Sequence, residues 1–197
     1  MDEITKVLYW ISTGLLIPVI VLLLIFFIRS LLLIGSFYGM YINKLRFNKQ
    51  FRDNLESFDE QNTRKKLSEL PLDSRLLIAG YLRKTMHLKE AAVYYDKLLD
   101  EFELACQKDL SGSQTLAKLG PVLGLMGTLI PMGPALVGLA AGDVESMATN
   151  MQVAFSTTVI GLFTGAVGFI IMQIKKRWYA ADISNLEFIT ELLKKAD

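Results

Sequence analysis

The chain has 197 residues, 52% of them hydrophobic, a formal net charge of +1 and a mean hydropathy of +0.36. The apolar residues fall in long runs rather than at amphipathic spacing, which sets the chain among membrane proteins and excludes an ordinary soluble domain. A net charge so near zero gives no reason to expect nucleic acid as a partner, and a lone cysteine, Cys106, excludes an intrachain disulfide or a cysteine metal site.

The first apolar run extends from Val7 to Ile28. Arg29 interrupts it, and Ser30 to Asn43 continues without charge. A secretory signal peptide is a poor fit. The N-terminal region carries Asp2, Glu3 and Lys6 rather than a basic cluster, the run is too long, and no A-x-A cleavage site follows. Residues 6–28 are expected to form an uncleaved membrane helix. Ser30 to Asn43 are expected to run on along the inner interface, so that 1–44 is one segment. Gly35 and Gly39 form a G-x-x-x-G there, which allows a close neighbouring helix, although ordinary packing explains it as well.

Residues 45–115 read as a helical, cytoplasmic segment. Pro71 followed by Asp73 and Ser74 marks a break and a capped restart. Leu88, Ala92, Tyr95, Leu99, Phe102 and Cys106 are then spaced four, three, four, three, four, a heptad seam suited to a helix packed in a small bundle. Cys106 fits there as a small filler. Ser111, Gly112 and Ser113 are expected to break the pattern.

Residues 116–174 hold two further spans. No ionisable side chain lies between Lys118 and Asp143, and none between Glu145 and Lys175. Each stretch is long enough to cross a hydrocarbon core of roughly 30 Å as a helix. Both are rich in small and hydroxyl residues, which suits helices that pack closely and line something polar. In span two, Gly120 and Gly124 form a small-residue pair, Gly127 and Thr128 sit near the middle, and Pro121, Pro131 and Pro134 each remove a backbone donor. In span three, Thr158, Gly161, Gly165 and Gly168 share a face, with Asn150, Thr157 and Thr164 seven apart on an adjoining polar stripe. After Arg177, the residues Tyr179, Ile183, Leu186, Ile189 and Leu193 give one apolar face. Span three is therefore expected to continue through 175–197 as one long helix.

Basic residues flank the spans unevenly. Arg29, Lys44, Arg46, Lys49 and Arg52 follow span one, Lys108 and Lys118 precede span two, and Lys175, Lys176 and Arg177 follow span three. The connector between spans two and three carries Asp143 and Glu145 and no cation. The positive-inside rule then puts the N-terminus outside and the C-terminus in the cytoplasm. The fold class expected is all-α, a three-span membrane protein with a cytoplasmic helical bundle.

A membrane threonine commonly bonds a carbonyl of its own helix and means nothing more. The concentration of Thr128, Thr157, Thr158 and Thr164 in two neighbouring spans argues instead for a hydrated path. The spans hold no Asp, Glu, Lys or His in their cores, and hydroxyls cannot store and release a proton near neutral pH. If protons move here, another chain must bring the carboxylate. Nothing suggests an enzyme or a cofactor. His87 is the lone histidine, Asp100 and Glu101 read as solvated, and no phosphate loop, H-E-x-x-H or G-x-S-x-G is present.

The stretches GPVLGLMGTLIPM and VAFSTTVIGLFTGAVG, together with the order of the spans, resemble the MotA/TolQ/ExbB proton channel family, and the three-span layout is similar to its ExbB and TolQ branch. The resemblance implies a pentamer in the inner membrane around a central pore. The pore would hold a single-span ExbD-, TolR- or MotB-like partner whose intramembrane Asp faces Thr128 and Thr158. It implies an ion pathway that includes Thr157 and Gln152, and a role in driving mechanical work or transport across the envelope. The family's Glu before the span-three threonine corresponds here to Val153, with Gln152 beside it, and the pair Pro131 and Pro134 is also a departure. Proton or sodium therefore both remain open as the coupled ion. A membrane scaffold that clusters a partner without conducting is the competing reading.

Overall fold

The computed structural model describes residues 2–55, 76–87 and 92–196. Among them every element is a helix: α1 (Asp2–Gly14), α2 (Leu16–Leu55), α3 (Leu77–His87), α4 (Ala92–Ala140) and α5 (Val144–Ala196). Three stretches are long and apolar enough to cross a membrane, Lys6–Phe51, Tyr94–Ala140 and Val144–Lys194. The first begins in α1 and continues through α2; helices α2, α4 and α5 have 40, 49 and 53 residues, at least twice the roughly 20 that a crossing needs. The restart expected after Pro71 lies outside the described residues.

Two expected boundaries differ. The first apolar run is interrupted at Leu15, between Gly14 and Leu16. Pro18 stands in the first turn of α2 and has no N–H to give the carbonyl of Gly14, so the ladder loses a rung where glycine already weakens the helix. By contrast, α4 runs unbroken through Ser111, Gly112 and Ser113, where an end was expected. A mid-helix glycine costs about 1 kcal/mol. Leu110 and Leu116 on either side are both buried, and Ser113 between them is buried too, so tertiary packing outweighs the local preference. Helix α4 also stays helical through Pro121, Pro131 and Pro134.

The chain divides into two compact units. The first comprises Met1–Ile34 and Gly112–Ile171. Its core is small: Val19, Leu23 and Leu123, with Phe26, Met126, Ile130 and Ile160 against them. Many large apolar side chains point outward, among them Leu125, Leu129, Phe155, Val159 and Leu162, as expected of helices whose surroundings are lipid rather than water. Helices α4 and α5 are joined by a tight turn built from local chemistry. Gly142 takes a left-handed φ of 74°, its N–H bonds Leu139 O at 3.1 Å, and Asp143 N–H bonds Gly138 O at 2.9 Å. That is the helix-ending pattern that favours glycine. Asp143 then caps α5, its carboxylate accepting from Ser146 N–H at 3.0 Å, and Glu145 in the first turn suits the positive end of the helix dipole.

The second unit comprises Gly35–Ser111 and Met172–Asp197. Here α2 to α5 pack around one hydrophobic core: Phe47 and Phe51 from α2, Ile78, Ala79 and Leu82 from α3, Phe102 and Leu110 from α4, Leu186 and Ile189 from α5. The heptad seam follows its spacing from Tyr95 to Cys106. Tyr95, Phe102 and Cys106 are buried and Leu99 packs against them, while Leu88 lies outside the described residues. On α5, Tyr179, Leu186, Ile189 and Leu193 are buried and Ile183 joins them. Phe37 stacks on Trp178 with centroids 5.5 Å apart, and Tyr41 leans on the same ring.

Candidate functional site

The two glycine-bearing stretches meet along one seam in the first unit, with α4 and α5 running in opposite directions from their shared turn. A methyl group added at Gly161 would lie 2.6 Å from Gly124 Cα and 2.7 Å from Gly120 O. One at Gly120 would lie 2.8 Å from Gly165 N, one at Gly165 2.5 Å from Pro121 Cγ, and one at Gly168 2.6 Å from Ala117 N. Gly124 faces Gly161 and the carbonyls of Thr157 and Thr158. At Gly120, Gly161 and Gly168 backbone atoms stand opposite, and at Gly165 the rigid ring of Pro121, so a side chain at any of the four would force the helices apart. With no hydrophobic drive between helices in lipid, such close approach is what holds a pair together.

Toward the turn, a methyl group at Gly127 would meet the Thr157 side chain at 2.6 Å. Thr157 is 5% exposed, and its hydroxyl bonds back to Ala154 O at 2.9 Å and Val153 O at 3.0 Å. It therefore belongs to the seam, alongside Gly161, Gly165 and Gly168. Thr158 was grouped with those glycines by spacing, yet it sits at the edge of the seam, half-buried, its hydroxyl on Ala154 O at 3.1 Å. Thr128 is likewise half-buried, bonded to Leu125 O at 2.7 Å. Each of these hydroxyls donates to its own helix and keeps lone pairs to accept from a water or a protonated carboxyl, or to ligate a cation. Gln152 is exposed six residues before Thr158, and Asn150 donates its amide to Ser146 O at 2.9 Å. Thr164 and Ser113 are fully buried, and their hydroxyls have no partner among the described residues.

Sequence reasoning missed a set of charges in the second unit, one pair fully buried and one half-buried. Lys44 of α2 donates to Asp182 of α5, with both side chains at most 4% exposed. Asp109 of α4 accepts from Lys175 Nζ at 2.6 Å and from the Tyr179 hydroxyl. Lys44 and Lys175 read in sequence as interfacial cations marking topology. The legible signal was Asp182, an acid on the face that otherwise carries Tyr179, Leu186 and Ile189. Close by, burial pushes the Cys106 thiol up to about 12, and Asp182 and Asp109 add to the shift.

Residues 72–187 match the family model described as the MotA/TolQ/ExbB proton channel family. That match covers more than half of the chain and includes the whole α4–α5 seam. The chain belongs to this family, and with three membrane-length apolar helices it is a multi-pass membrane protein. No curated protein and no solved structure matches it.

Proposed function

We propose that the chain is the ring-forming subunit of an ion-driven motor or channel of the three-span ExbB and TolQ kind. Five copies surround the helices of a single-span ExbD-, TolR- or MotB-like partner. The partner's intramembrane Asp faces the hydroxyls of Thr128 and Thr158. The N-terminus and the α4–α5 turn lie outside, and the C-terminus lies in the cytoplasm of a cell membrane. An ion entering from outside neutralises the Asp, the partner helix shifts against the ring, and the ion leaves to the cytoplasm. Each elementary charge crossing supplies about 2.3 kcal/mol per 100 mV, comparable with a few packing contacts. The work is done by the partner's outer domain. The coupled ion is a proton, with sodium the alternative, since Val153 stands where the family's Glu is expected.

The observation that carries this reading is the pairing of a backbone-close glycine seam with two half-buried hydroxyls at its edge, in stretches of α4 and α5 (119–142 and 146–174) that carry no charge of their own. Thr157, locked into the seam, serves packing in this picture, and Gln152 lies on the approach to Thr158. The scaffold reading has one observation in its favour: both hydroxyls already bond their own helix. Thr158→Val separates the two. Purified complex in proteoliposomes, followed with a pH-sensitive dye and separately with a sodium-sensitive one, is expected to lose ion flux on this substitution while keeping its assembly. Unchanged flux in the variant sinks the role of Thr158, and a wild-type complex that carries neither ion leaves the scaffold.

A further inference from the structure

The paired charges of the second unit, buried at Lys44, Lys175 and Asp182 and half-buried at Asp109, have an arrangement that ordinary stabilisation does not explain. Lys175, Tyr179 and Asp182 stand at i, i+4 and i+7, so all three project from one face of α5. That face meets two helices, and each holds it with the opposite sign. Lys44 from α2 takes Asp182, and Asp109 from α4 takes Lys175 and Tyr179. The surrounding side chains are Leu, Ile and Phe, which tolerate a shifted neighbour at small cost because their attraction has no direction. A hydrogen-bonded ion in a dry site tolerates none.

We propose that Lys44, Asp109, Lys175, Tyr179 and Asp182 form a register lock, a set of positioning residues that hold α5 in one rotation and one height against α2 and α4 within this unit. Sliding α5 by one turn moves it about 5.4 Å and strips both ions of Lys44–Asp182 of their partners. Rotating α5 turns Lys175 and Asp182, which share a face, away from Asp109 and Lys44 together, so the misrotated packing leaves both pairs broken and is penalised for it. Buried ion pairs add little net stability compared with apolar pairs of equal volume, and fixing a register is their best-attested use. The pair Lys194–Asp96, at 28% and 66%, does no such thing, since water solvates either ion when they part; Asp109 is itself 33% exposed, so Lys44–Asp182 is the stronger half of the lock. The proposed function enters only in what the lock is for: it keeps ion-driven motion in the partner helix instead of losing it to slippage inside the ring subunit.

The test replaces the ions without leaving one unpaired. Lys44→Met with Asp182→Leu keeps an apolar fill, and Lys44→Asp with Asp182→Lys keeps the ions and exchanges their helices. Spin labels at Arg46→Cys and Glu187→Cys, both exposed positions on α2 and α5, report the register as a distance distribution. Labelled chain is diluted into unlabelled chain so that only distances within one copy are read. The native background is expected to give a single narrow distance. The apolar pair is expected to keep the melting temperature but to add a second distance or broaden the first, and the exchanged pair to restore the single one. A single unshifted distance in the apolar variant overturns the lock. In the same proteoliposomes, ion-driven output is expected to fall at least tenfold in the apolar variant and recover in the exchanged one. A wild-type complex without flux counts against the proposed function alone, because the distance measurement does not depend on ion flow.

Discussion

Gly161→Ala should separate the α4–α5 seam, and its effect can be sized from the geometry. The new methyl carbon would lie 2.6 Å from Gly124 Cα, 2.7 Å from Gly120 O and 2.9 Å from Gly124 N. Carbon pairs rest at about 3.5–4.0 Å, so the helices must part by about 1 Å. All three obstacles are backbone atoms of α4, and none can swing aside. Overpacking of this kind costs about 1–3 kcal/mol, and the upper half of that range is expected here. Replacing glycine by alanine also gains about 1 kcal/mol of helix propensity, which masks part of the cost. Gly39→Ala removes that ambiguity. A methyl there meets nothing within 4 Å, so it reports the propensity gain alone. The difference between the two variants, followed by circular dichroism during unfolding in mild detergent, is expected to be about 2–3 kcal/mol. Equal stability of the two would refute the seam as a backbone-close contact.

Phe102 is fully buried in the second unit, and Phe102→Ala is expected to cost about 3–5 kcal/mol in the same unfolding assay, whereas Lys194→Ala should stay within about 0.5 kcal/mol because its ion pair is exposed. Cys106 should resist a maleimide at pH 7.5 in the folded protein and react on unfolding, with a rate ratio on the order of a hundredfold or more. Its thiol is both buried and pushed up to about 12, so raising the pH to 9 in the folded state should not restore the reaction; rapid labelling of native protein would contradict that burial.

How far the sequence led depends on which physical signal each feature left. The apolar runs, the seam from Tyr95 to Cys106 and the face from Tyr179 to Leu193 were legible because hydrophobic periodicity maps directly onto burial. The run through Ser111, Gly112 and Ser113 misled, since local preference there is overruled by Leu110 and Leu116 packing on either side. The break at Leu15 left its mark only in Gly14 and Pro18, four residues apart. Thr157 and Thr158 differ by 100° of helix rotation, and which one enters the seam depends on the docking of Gly127, which spacing alone does not fix. Lys44 and Lys175 look in sequence like any membrane-flanking cations. Their burial is a consequence of the acids they meet, Asp182 and Asp109, each far away along the chain.

The wet face claimed for Thr158 is tested most directly by its access to water in the assembled complex. Thr158→Cys in native membranes is treated with a charged, membrane-impermeant thiosulfonate. Val159→Cys, at a position 68% exposed on the apolar outer surface, serves as the lipid-facing control. Rapid labelling at 158 and none at 159 is the expected result. Protection of 158 equal to that of 159 would mean that this hydroxyl faces no water, and the ion path assigned to it would be wrong.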